Sequence, residues 1–181
     1  MIKGKLINVR GDATEPQRLS DNELAIIPHV CNDEGKWGAG FVLALSKKWE
    51  SPKQDYQRCC RVSIENNIPS LGKTRFSKVD DSTIVANMIA QRGIVSPKNP
   101  IPLKYRSLIR CMENVFSYVE LHKLESKNPV VIHCPKFGSD LAGGDFRFIL
   151  ELIREIWLEN GIDVVVYEFE SDKSKWGKIK E

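Results

Sequence analysis

Residues 24–49 read LAIIPHVCNDEGKWGAGFVLALSKKW. The first seven, LAIIPHV, form an apolar run of strand length, of the kind buried on both faces of a sheet, although Pro28 withholds a backbone donor near its end. The last ten, GFVLALSKKW, carry Phe41, Leu45 and Trp49 at a spacing of four, which predicts a helix. Between strand and helix stand Gly35, Gly38 and Gly40, with Asn32 ahead of them and Trp37 among them. Glycine weakens local order, so a loop that carries three is expected to gain something in return, such as close approach of its backbone to a ligand.

The same reading extends outward. LINV (6–9) is a short strand that stops at Arg10-Gly11-Asp12, and Pro52 opens a second helix reaching Val62. KTRFSKV (73–79) and TIVANMIA (83–90) flank Asp80-Asp81-Ser82, the pattern of a hairpin. Over 103–124, Leu108, Cys111, Met112, Val115, Val119 and His122 keep helical spacing. PVVIHC (129–134) is a second buried strand. Phe146, Ile149, Leu150, Ile153, Ile156 and Trp157 predict a helix that Gly161 ends, and DVVVYEF (163–169) is the last strand. The order β, β, α, α, β, β, α, β, α, β predicts a layered α/β/α domain, with any ligand beyond the carboxyl ends of the strands.

A chain of 181 residues is expected to form one domain over 1–170, followed by a polar basic tail over 171–181. Apolar content of 41% and charged content of 28% suit a soluble globular protein. The net charge of +3 permits an anionic ligand without demanding nucleic acid. The tail, with Lys173, Lys175, Trp176, Lys178 and Lys180, is the only nucleic-acid candidate, and a steep salt dependence would mark it. Five cysteines without a CxxC, and His29, His122 and His133 at no zinc spacing, argue for reduced thiols, no metal and a cytoplasmic setting. The start, MIKGKLINV, is too short and polar for a signal peptide, and no apolar run approaches the roughly 18 residues of a membrane span. LGKT (71–74) is not a P-loop: Asn67 stands where its first glycine belongs, and a strand pattern follows instead of a helix. A monomer without a cofactor is expected.

A second glycine-bearing loop, PKFGSDLAGGDF (135–146), also leaves a strand and enters a helix. Two helix starts with free N–H groups and positive dipole ends favour phosphate, so facing loops of this kind are suited to a pyrophosphate. Read alone, the glycines serve equally well as turns and caps, and Asp145 is a natural N-cap.

Three segments, INVRGDAT, HVCNDEGKWGAG and HCPKFGSDLAGGDF, resemble in order and spacing those of the macrodomain, the ADP-ribose-binding fold. The nearer likeness is to the branch that processes ADP-ribose 1″-phosphate, through His29, Cys31, Asn32, Gly35, Trp37, Gly38 and Gly40. The resemblance implies a three-layer α/β/α fold with a mixed sheet of about six strands, and ADP-ribose or ADP-ribose 1″-phosphate as ligand. It implies that Asp12, next to Gly11, accepts from the adenine amine, and that Tyr167 or Phe169 packs on adenine; alternation leaves both open. Asn32 is expected to hold the distal ribose. Gly38, Ala39 and Gly40 of the first loop, with Trp37 beside them, face Phe137, Gly138, Ser139, Leu141, Ala142 and Gly143 of the second across the phosphates.

The chemistry implied is attack of water on the terminal phosphate, with Asn32 in the catalytic set. Asp145 would orient or deprotonate the water. His29 would stabilise developing charge or protonate the leaving ribose oxygen, a task suited to a group that titrates near neutral pH. Asp140 stands where the family usually has glycine; it is a second candidate acid, or else faces away or pairs with Lys136 or Arg147. The branch that removes ADP-ribose from protein glutamates uses a lysine and an aspartate. That aspartate falls on Ala142 and the lysine region on Gln91-Arg92, so the covalent route is not expected. The expectation is a hydrolase of ADP-ribose 1″-phosphate or a related conjugate; the alternatives are a non-catalytic ADP-ribose-binding module and an ADP-ribosyl-protein hydrolase. The irregular stretch NMIAQRGIVSPKNPIP (87–102) is expected to cover the distal ribose, with Arg92 or Lys98 in reach of ligand.

Overall fold

The computed structural model describes residues 2–169, so the tail expected from residue 171 lies outside the described residues. The elements are β1 (Leu6–Arg10), β2 (Leu24–Asn32), α1 (Phe41–Lys48), α2 (Ser51–Glu65), β3 (Thr74–Asp80), β4 (Thr83–Gln91), α3 (Tyr105–Glu125), β5 (Val130–Pro135), α4 (Phe146–Ile153) and β6 (Asp163–Glu168). They follow the predicted order. The six strands form one mixed sheet, β1-β6-β5-β2-β4-β3, in which β3–β4 is the antiparallel pair and the remaining pairs are parallel.

One predicted helix is divided. After Ile153 the chain widens into a π-helical turn, Arg154–Leu158. Trp157 and Leu158 in it are both buried, and the Trp157 indole N–H donates to Met112 O on α3 at 3.0 Å. No helix among the described residues is long and apolar enough to cross a membrane.

Alternation along the strands divides the core between two faces. Ile26, Ala86, Met88, Ile132 and Val164 pack under α3 and α4. Ile27, Cys31, Val85 and Ile89 pack under α1 and α2. A third cluster, Val131, Val165 and Tyr167, packs with Ala13 of the β1–β2 connection and Phe41. That connection is held by buried polar groups. Tyr167 OH accepts from the Gln17 N–H at 2.8 Å and donates to His133 Nδ1 at 2.8 Å. His133 Nε2 donates to Glu23 Oε1 at 2.6 Å, and Glu23 Oε2 accepts from the Leu19 N–H at 2.7 Å. Arg18 closes the far end, donating to Glu23 O, Ser82 O and Thr83 Oγ1.

Pro28 has a clear structural consequence. Leu24 N–H donates to Pro129 O and Ala25 N–H to Ser82 O, so even positions of β2 face β5 and odd positions face β4. Pro28, an even position, lacks the donor that would continue the β5 ladder. Pairing of β2 with β5 stops at Ile26–Ile132, while pairing with β4 continues to Asn32. The two strands that feed the glycine loops therefore part below their carboxyl ends.

Candidate functional site

A cleft of about 1470 Å³ opens where β2 and β5 part. The first loop supplies Trp37, Gly38, Ala39 and Gly40 to its wall; the second supplies Phe137, Gly138, Ser139, Asp140, Leu141 and Ala142. The loops meet at Gly40, whose φ of 80° and ψ of −148° exclude a side chain; a Cβ there would lie 3.5 Å from Leu141 Cδ1. The backbone N–H groups of Gly38, Ala39, Gly40, Ser139, Asp140, Leu141 and Ala142 have no acceptor among the described residues. By contrast the Gly143 N–H is spent on Asp140 O and the Gly144 N–H on Gly138 O. The lining holds four lysines, Lys36, Lys47, Lys48 and Lys136, and four acids, Asp12, Glu15, Asp140 and Glu168. Three of these lysines are engaged: Lys36 with Glu34, Lys48 with Glu15 and Thr14 O, and Lys136 with Glu168. Backbone donors therefore carry most of the cleft's capacity to hold an anion.

Asn32 shapes the first loop. Its Oδ1 accepts from the Glu34 N–H, the Lys36 N–H and the Tyr56 hydroxyl at 3.0, 3.1 and 2.8 Å, and its Nδ2 donates to Lys36 O at 2.7 Å. One N–H of the amide is left for a ligand. Trp37 is pinned to α1 by its indole N–H on Ser46 Oγ at 2.7 Å and packs against Tyr56 and His29.

No family model matches the chain. Among solved structures it is similar to a macrodomain protein from Streptomyces coelicolor, with 35% identity and a TM-score of 0.73, covering 91% of this chain and 99% of that one. The chain belongs to the macrodomain family. A protein of unknown function from Bacteroides thetaiotaomicron is also similar, at 35% identity and a TM-score of 0.79 over 91% of this chain and 98% of that one. Among curated proteins, an ADP-ribose 1″-phosphate phosphatase from Candida albicans is 25% identical over 119 residues, 65% of this chain and 72% of that protein.

In this macrodomain His29 lines the cleft but is buried, with Trp37 and Phe41 rings 5.6 and 5.7 Å from its own. Its Nε2 lies 2.6 Å from Asn87 Oδ1, and Asn87 Nδ2 donates to Pro52 O, so Asn87 presents an acceptor and His29 Nε2 carries the proton. Burial lowers the imidazole from 6.5 to about 4, and the Asn87 bond offsets only part of this. Burial therefore disfavours the charged ring, which bears against the acid role expected for His29. Sequence reasoning missed Asn87: nothing marks it until β4 pairs with β2 and places it opposite His29.

The lowered value has a consequence for stability. The folded state excludes a proton that the unfolded chain takes up below pH 6.5. This contribution is complete above that pH and is lost as pH falls towards 4, in all about 3 kcal/mol. Urea melts at pH 7 and pH 4 should show it, with a correspondingly smaller loss in His29→Gln.

Asp145 is not part of the cleft lining. It caps α4, accepting from the Arg147 N–H at 2.9 Å, and pairs with the Arg147 guanidinium at 3.1 Å, which holds its carboxyl below the usual range. Its carboxylate is thus committed to the cap and to Arg147, which bears against the water-orienting role expected of it. Gly143 also leaves the lining, because it packs on the 92–102 loop, where a Cβ would meet Pro100 O at 2.8 Å. Asp140 does face the cleft; the pairings weighed for it with Lys136 and Arg147 do not form, since those cations bind Glu168 and Asp145.

At the other end Asp12 lines the cleft beside Gly11, with Oδ1 accepting from the Thr14 N–H at 2.8 Å. Both candidate aromatics are there. Tyr167 is buried and its hydroxyl is spent in the network above, whereas Phe169 is 69% exposed, which leaves its ring free to stack. Neither Arg92 nor Lys98 lines the cleft. The 92–102 loop contributes Ile94 and Val95, and its Gly93 N–H is tied to Asp33 Oδ1 at 2.8 Å. No cluster of His, Cys, Asp or Glu among the described residues is arranged to hold a metal ion.

Proposed function

We propose that this macrodomain binds ADP-ribose, with the diphosphate between its two glycine loops. The observation that carries the reading is the set of seven backbone N–H groups without acceptors, Gly38 to Gly40 and Ser139 to Ala142, on opposing sides of one cleft. Hydrogen bonds to a charged group contribute about 1.5–3 kcal/mol each, and donors fixed in the backbone lose little entropy on binding. Adenine lies at the Asp12 and Phe169 end, its amine donating to the free Asp12 oxygen. The distal ribose lies at the Asn32 end, below Ile94 and Val95.

Calorimetry with ADP-ribose tests this. Asp12→Ala is expected to weaken binding about tenfold, the loss of one charge-assisted hydrogen bond. Unchanged affinity removes Asp12 from the site, and no heat or thermal shift with millimolar ADP-ribose removes the ligand.

A second reading, hydrolysis of the terminal phosphate of ADP-ribose 1″-phosphate, is favoured by the name of the Candida albicans relative and by Asp140, a cleft acid without an ion-pair partner among the described residues. Asp140 then takes the proton of the attacking water and delivers it to the ribose oxygen as the phosphorus–oxygen bond breaks, while the His29 ring acts as wall and hydrogen-bonding group. Phosphate release from that substrate by the intact chain separates turnover from binding alone.

A further inference from the structure

A second groove, of about 480 Å³, shares no lining residue with the cleft. One wall is the start of β3, Thr74 to Phe76, with Lys73 just before it; the other is a face of α3 carrying Asn114, Ser117, Tyr118 and Leu121 at helical spacing. β3 ends the sheet. Ile89 N–H donates to Lys73 O and Thr74 lies opposite Met88, so odd positions bond inward to β4. Thr74, Phe76 and Lys78 therefore turn their N–H and C=O groups outward. These groups have no backbone partner among the described residues.

The strand's two faces differ chemically. Towards α3, Thr74 Oγ1 bonds to Cys111 O, and Phe76 stacks on Tyr118 with ring centroids 4.3 Å apart. Leu121, 61% exposed, extends this apolar side. Towards α2, Ser77 bonds to Asp55, so Lys73 and Arg75 share that face near Cys59. Neither cation makes an ion pair, and no carboxylate lines the groove, among the described residues. Edge strands are usually protected by charge, by a bulge or by a covering element. Here the irregularity between Lys78 and Asp80 blunts one end and leaves the stretch from Lys73 to Phe76 open.

We propose that this edge accepts an extended acidic segment of another protein as a seventh strand. Its backbone pairs with the outward groups of Thr74 and Phe76. Alternate side chains, apolar, lie over Phe76, Tyr118 and Leu121; the intervening ones, Asp or Glu, meet Lys73 and Arg75. The two-faced alternation and the backbone donors suit a polypeptide better than a nucleic-acid strand, which would use the rings and cations but leave the amides unpaired.

The test is selection from a random twelve-residue phage-displayed library on the full chain, followed by fluorescence polarisation of the selected peptides. Enriched peptides are expected to alternate acidic with apolar residues and to weaken with salt. Arg75→Glu should weaken them at least tenfold while leaving ADP-ribose affinity unchanged. N-methylation of alternate peptide amides in one register should abolish binding, and in the other should not. The proposal is overturned if no alternating acidic peptide is enriched, or if binding survives Arg75→Glu or N-methylation in both registers. Equal displacement by oligothymidine would assign the groove to nucleic acid instead. A dimer in sedimentation that Thr74→Pro removes would assign the edge to a second copy; proline is tolerated there because that N–H points outward.

Discussion

Glu23→Ala is expected to lower the stability of the folded chain by roughly 3 kcal/mol, because it leaves one buried donor and one partly buried donor without acceptors, the buried one at about 1–3 kcal/mol, and opens a small cavity. Those donors are the His133 ring N–H and the Leu19 backbone N–H, both within 2.7 Å of the carboxylate, and Glu23 itself is 1% exposed. The loss should reach the cleft. His133 passes the constraint to the Tyr167 hydroxyl, and Tyr167 holds the Gln17 N–H and so the connection that carries Asp12. Denaturant unfolding should show the drop in midpoint, and ADP-ribose affinity should fall under conditions where the variant is still folded. Glu23→Gln, which keeps one acceptor oxygen, should cost clearly less. A Glu23→Ala chain as stable as the parent would mean that the connection is held by Arg18 and apolar packing instead.

Gly144→Ala is expected to cost about 3 kcal/mol by overpacking and to abolish measurable ADP-ribose binding. The backbone of Gly144 is compatible with alanine, since it is not among the glycines of positive φ. The obstacle is space: a Cβ would lie 2.4 Å from Leu103 Cδ2 and 2.5 Å from Gly138 O. Gly138 O also accepts the Gly144 N–H at 2.8 Å, so relief of the clash must move the turn that presents Ser139 to Ala142. Gly38→Ala is the matching control for stability alone, because no protein atom lies within 4 Å of its Cβ position. Thermal melts and calorimetry on the two variants decide the matter. If Gly144→Ala melts with the parent and binds as well, the second loop is more compliant than its packing implies.

The strands and helices were legible because each announces itself locally. Hydrophobic spacing of two or three to four, a proline in a first turn and an aspartate before α4 need no partner to be read. The π-helical turn was not legible, since Arg154–Leu158 carries the same apolar spacing as the helix before it; its contact with Met112 O lies on another helix. In the site, the two loops could be found from their glycines, whereas the standing of individual side chains could not. Asp145 reads equally well as a cap and as an acid, and only the position of Arg147 and the line of the cleft separate the two. Tyr167 lies in β6 and Phe169 just past its end, so one is locked into His133 and the other is exposed.

Chain order and periodicity were enough to specify an α/β/α sandwich with two glycine loops at one end, because backbone preference and alternation of burial are properties of neighbours in sequence. Protonation and availability are not. Burial beside Trp37 and Phe41 pushes the His29 imidazole down, and Asn87, brought opposite by β4, opposes only part of that shift. Asn32 became the organiser of its loop when Tyr56 of α2 arrived at its oxygen. Solvation and hydrogen-bond partners are supplied across the fold by residues remote in the chain, so the chemical state of each group is set by the assembled structure.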